Sequence, residues 1–98
     1  MKKRGLASRK TAEMLAIQAL AFIAEEPERM GAFLSVTGIA PEAIREAARE
    51  SDFLAGVLEH MLGDESLLIA FADSAGIDPA GIVRARHALG GKWERDLP

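Results

Sequence analysis

Apolar residues recur along this chain in short runs divided by glycine, proline and clustered acids, at the spacing of helix faces rather than of alternating strands. Thr11 to Ala24 is apolar nearly all round, with Thr11, Gln18 and Glu25 as a narrow polar stripe, which predicts a mostly buried central helix. It stops at Glu25-Glu26-Pro27-Glu28, because the residue before a proline is pushed away from helical angles. Glu28 to Thr37 predicts a second helix turning Met30, Phe33, Leu34 and Val36 inward. Pro41 to Glu50 predicts a third, with a thin face of Ile44, Ala47 and Ala48. A fourth runs from Asp52 to Leu62, capped by Ser51 or Asp52, with Phe53, Leu54, Val57, Leu58, Met61 and Leu62 over one wide side. Glu65 to Ala75, capped by Asp64, and Pro79 to Leu89 complete the set.

The last two of these meet at Gly76-Ile77-Asp78-Pro79, a stop and restart. Gly76 can take the left-handed conformation that ends a helix, Asp78 can cap the next, and Pro79 is tolerated at its first position because no backbone donor is needed there. The same pattern stands 38 residues earlier, where Phe33, Gly38, Ile39, Pro41, Ile44 and Ala47 match Phe71, Gly76, Ile77, Pro79, Ile82 and Ala85. Each half therefore reads as helix, break, helix, Gly-Ile-x-Pro, helix. The expectation is an all-α, compact bundle of five or six short helices built from two related, helix-turn-helix-containing halves.

Composition narrows this to one domain with one core: 98 residues, 49% apolar, thin in β-branched and aromatic side chains. We expect a flexible basic arm over residues 1–10, a single helical domain over 11–93 and a tail over 94–98. With no cysteine, disulfides, thiolate metal sites and cysteine nucleophiles are excluded. Charge is unevenly spread. Lys2, Lys3, Arg4, Arg9 and Lys10 make the start basic, residues 11–78 carry thirteen acids against three basic residues, and the end turns mildly basic again. The basic start before Met14 to Ala24 has the outline of a secretory signal, but Glu13 and Gln18 interrupt it, and the segment aligns with the fourth helix under the 38-residue shift. No run is long enough to span a bilayer, so a soluble, cytoplasmic protein is expected.

Candidate chemistry is sparse. The residues Ala72, Gly76, Ile77, Ile82 and Ala85 meet the pattern of a DNA-binding helix-turn-helix at about 66–89, in which Arg84, Arg86 and His87 would contact phosphates or bases. Two core helices packed across a tight turn need the same residues, and the acidic body opposes DNA. His60 and His87 stand in no metal-ligand spacing, no serine has a nucleophile-elbow context, and no strand precedes a glycine-rich loop, so no catalytic, metal or cofactor site is expected. Trp93 is the one tryptophan; it either folds back on the bundle or contacts a partner. A non-enzymatic protein-interaction or structural module, binding another protein or a second copy, is the first reading; nucleic-acid binding is the alternative.

The stretches Phe33 to Arg49 (FLSVTGIAPEAIREAAR), Phe53 to Leu68 (FLAGVLEHMLGDESLL) and Phe71 to Gly90 (FADSAGIDPAGIVRARHALG) together resemble a group of small bacterial proteins, the domain-of-unknown-function family 3572. The resemblance covers roughly Thr11 to Trp93. It implies a compact helical protein from a bacterium and brings no activity, cofactor or catalytic residue with it.

Overall fold

In the computed structural model, residues 8–90 are described, and every regular element among them is helical. Helix α1 spans Arg9–Ala24, α2 Pro27–Thr37, α4 Ser51–Leu62, α5 Glu65–Ala75 and α6 Pro79–Leu89. Between α2 and α4 lies a 3-10 turn, Pro41–Ala43, running into the short α3, Ile44–Ala47. Helix α1 starts two residues ahead of expectation, because the Ser8 hydroxyl accepts from the Thr11 amide (3.0 Å) and so caps it; Arg9 and Lys10 of the expected arm are thus helical. Residues 1–7 of that arm, Trp93 and the tail 94–98 lie outside the described residues.

The core is a triangle of α1, α4 and α6 with α2 and α5 laid against it. Helix α1 turns an alanine-rich face inward, Ala12, Ala16, Ala19 and Ile23, and such small side chains let α4 and α6 approach closely. Leu54, Val57, Leu58 and Met61 come from α4, and Ile82, Ala85 and Leu89 from α6. Phe33 enters from α2, and Leu67, Phe71 and Ala72 from α5.

The two halves are related in space as well as in sequence. Helices α2 and α5 have identical bounds under the 38-residue shift, and each ends on a glycine in the left-handed region, Gly38 at φ 73° and Gly76 at φ 69°. The Ser51 hydroxyl donates to the Glu13 carboxylate (2.8 Å), and these two residues occupy equivalent positions. Equivalent residues touch when they lie beside a local two-fold axis. The rings agree: Phe22 packs on Phe71 at 5.4 Å, and their equivalents, His60 and Phe33, pack at 5.2 Å. Each half thus sets a ring of its second helix against a ring on the first helix of the other.

Four expectations need correction. Helix α1 is not buried most of the way round, since Met14, Ile17, Ala21 and Ala24 face outward; the other described helices cover one side of it. Val36 is 73% exposed, because α2 meets the core along Met30, Phe33 and Leu34 only. The third helix is a 3-10 turn and one helical turn, with no side-chain cap at Ala40. Neither Ser51 nor Asp52 caps α4: Glu50 holds the cap position without a side-chain bond, and Ser51 is spent on Glu13.

Candidate interaction surface

Helix α6 carries the residues expected to read nucleic acid. Asp78 accepts from the Ala80 amide (2.9 Å), and Gly76 closes α5 with the Ile77 amide donating to the Ala72 carbonyl (2.9 Å), so the turn forms as its sequence dictates. The helices on either side of it bend by 101°. Arg84 and His87 sit on the outer face of α6 and are exposed. Arg86 faces inward at 7% exposure, where its guanidinium donates to the Gly90 carbonyl (2.7 Å) and meets the Glu59 carboxylate at 3.4 Å. Arg86 thus ties the end of α6 to α4, while the other two remain at the surface.

Of the titratable residues, Arg29, His60 and Asp64 line one open cleft with Ala32, Ser66, Leu67 and Ala70. It lies across the local two-fold, since Arg29 and Ala32 are the counterparts of Leu67 and Ala70. Three of its side chains make contacts with the bundle. The Arg29 guanidinium sits 4.3 Å from the Phe22 ring centre, His60 packs edge-on against Phe33, and Asp64 accepts from the Leu67 amide (3.2 Å) to cap α5. No group of three or more acids or histidines among the described residues could hold a metal ion.

The surface feature that sequence reading passed over is the outer face of α1. Among the described residues, five large apolar side chains are strongly exposed: Met14 (58%), Ile17 (48%), Val36, Ile69 and Val83. The last three stand singly on three different helices, and isolated apolar residues at a surface are ordinary. Met14 and Ile17 are one turn apart, and the exposed Ala21 and Ala24 continue their line, so the four fall at the alternating four- and three-residue spacing of a helix-pairing seam. Beside that seam, Leu20 opens onto an apolar groove lined by Met30, Pro41, Ile44 and Ala48, with Glu42 and Arg45 at its rim. The counterpart positions on α4 are Asp52, Ala55, Glu59 and Leu62. Where α4 carries charge at two of them, α1 is apolar at all four.

The signal for this seam was in the sequence as the apolar breadth of Thr11 to Ala24. Breadth alone does not tell a buried helix from one with a second docking face. What separates them is exposure in the fold: Ala12, Ala16, Ala19, Leu20 and Ile23 are buried, while Met14, Ile17, Ala21 and Ala24 lie outside.

No single helix among the described residues is long and apolar enough to cross a membrane. No curated protein and no solved structure matches the chain. The family model described as protein of unknown function (DUF3572) matches residues 9–92, which takes in every described helix, and the chain belongs to that family.

Proposed function

We propose that this protein is a non-enzymatic interaction module whose binding surface is the outer face of α1, with the groove beside Leu20 as its flank. The observation that carries this reading is the seam Met14-Ile17-Ala21-Ala24, which exposes apolar side chains at helix-pairing spacing on the most central helix of the bundle. A helix so placed is held rigid by α4 and α6 behind it, so a partner meets a preformed surface and little ordering entropy opposes binding.

The size of the complex that holds the chain, fixed by chemical crosslinking in the intact cell before extract is made, tests this. Wild-type protein is expected to migrate above the mass of one chain, and Ile17→Lys to shift it to that mass. Wild type running as a single chain would sink the reading.

A second reading, nucleic-acid binding through α5 and α6, draws on the 101° bend across the Gly76 turn, which falls in the range of helix-turn-helix pairs, and on exposed Arg84 and His87. Against it stand Asp73 and Asp78 beside the turn and the inward engagement of Arg86. It requires duplex-DNA affinity, read by fluorescence anisotropy, that falls steeply with salt and drops in Arg84→Ala. Salt-independent or absent binding removes it.

A further inference from the structure

Resting on the interaction reading, we infer that the occupant of the α1 face is a second copy of the same chain, paired antiparallel through α1. The size pattern of the seam selects this partner. In an antiparallel pair centred on residue 19, Met14 of one copy lies opposite Ala24 of the other, and Ile17 opposite Ala21. Each large side chain then meets an alanine in all four layers, which is the alternation that interdigitating surfaces need. A parallel pair would set Met14 on Met14 and Ala24 on Ala24, crowding one end and leaving a gap at the other.

Charge selects the same arrangement. Helix α1 has two basic residues, Arg9 and Lys10, in its first turn and no basic residue in its last, where Glu25 caps it and Glu26 and Glu28 follow. Both placements run against the helix dipole, which favours acids at the start and bases at the end. Arg9 is accounted for, because it donates to the Leu89 carbonyl (3.2 Å) at the end of α6. Lys10 is exposed and enters no ion pair among the described residues. Antiparallel pairing brings Lys10 of each copy to the acidic corner of the other and opposes the two dipoles, so it resolves at both ends what the single chain leaves unfavourable. Parallel pairing would stack lysine on lysine.

The seam from Met14 to Ala24 is about 15 Å long, which places the contact at the small end of specific interfaces. The dimer is therefore weak and concentration-dependent.

Sedimentation equilibrium of the purified full-length chain is the test. Wild type is expected to show a monomer–dimer equilibrium; Ile17→Lys, at a half-exposed position whose helicity circular dichroism can verify, weakens it by more than roughly tenfold. Lys10→Glu also weakens it, and adding Glu28→Lys, at the position that faces residue 10 in this register, restores it, which a merely sticky surface would not do. Because the chain has no cysteine, direction can be read directly: an oxidised mixture of Ile17→Cys and Ala21→Cys chains is expected to form the mixed disulfide in preference to either self-disulfide. Predominance of self-disulfides overturns the antiparallel register. A purified chain that stays monomeric well above micromolar concentration overturns self-pairing, whether residues 91–98 or a different protein covers the face. If the chain is nonetheless found in a larger complex in extract and Ile17→Lys releases it, the interaction reading survives that result.

Discussion

Beyond Gly38 the chain makes a 3-10 turn and one helical turn before leaving the core, whereas beyond Gly76 the matching sequence makes eleven residues of helix that form one side of the central triangle. The two starts are alike in backbone. Ala40 sits at φ −71°, ψ 143° and Asp78 at φ −78°, ψ 133°, each followed by a proline. They differ in the side chain that follows Gly-Ile. Asp78 offers a carboxylate to the Ala80 amide, and Ala40 offers nothing, so the first-turn amides of the earlier copy have no side-chain acceptor. Burial completes the divergence: Ile82 and Ala85 are sealed in the core, while their counterparts Ile44 and Ala47 are half-buried, Ile44 lining the groove beside Leu20. The repeated sequence pattern is thus used once as core and once as rim, and the rim copy leaves α1 partly uncovered.

The largest expected effect separates core from rim. Ile82→Ala should cost about 3–4 kcal/mol in urea unfolding and Ile44→Ala about 1 kcal/mol, because only the first empties a fully buried site. Equal losses would break the distinction. Next comes the arginine pair on α6. Arg86→Ala should cost roughly 1–3 kcal/mol by orphaning the Gly90 carbonyl, with the Glu59 contact adding little because that carboxylate is half exposed; Arg84→Ala should fall within about 0.5 kcal/mol. Asp78→Ala removes the cap and should cost about 1 kcal/mol, read from the same unfolding curves. The smallest effect sharpens the comparison most: Ala40→Asp, on a backbone already in the cap conformation, should gain up to about 1 kcal/mol and extend protection from amide exchange into Pro41–Ala47. No gain there would mean that lack of burial, and not the missing cap, holds the first copy short.

Much of this was legible in the residues. Helices α5 and α6 fall where Asp64, Gly76, Asp78 and Pro79 place them, since capping and left-handed glycine are local effects carried by the side chains themselves. The repeat was readable too: the 38-residue shift that matches the sequences also matches the bounds of α2 and α5 and their closing glycines. What depended on packing was not. Periodicity places Arg86, four residues after Ile82 and three before Leu89, on the inner face of α6 and Arg84 on the outer one, but it does not supply the Gly90 and Glu59 partners that Arg86 meets there. Nor could periodicity say that Met14 and Ile17 would be left outside, because the pattern shows which positions are apolar and not how many neighbours exist to cover them. The family that the turn sequences resemble is the one whose model matches the chain.

The most direct test of the binding surface is site-specific photo-crosslinking in living cells, with the reactive side chain placed at Met14 on α1 and, in a separate variant, at Ile69 on α5. Both positions are similarly exposed, at 58% and 53%. A protein adduct from position 14, at the mass of two chains if the partner is a second copy, with little from position 69, is the predicted result. Adducts from position 69 alone, or equal yields from both, would contradict it and return the outer face of α1 to ordinary surface.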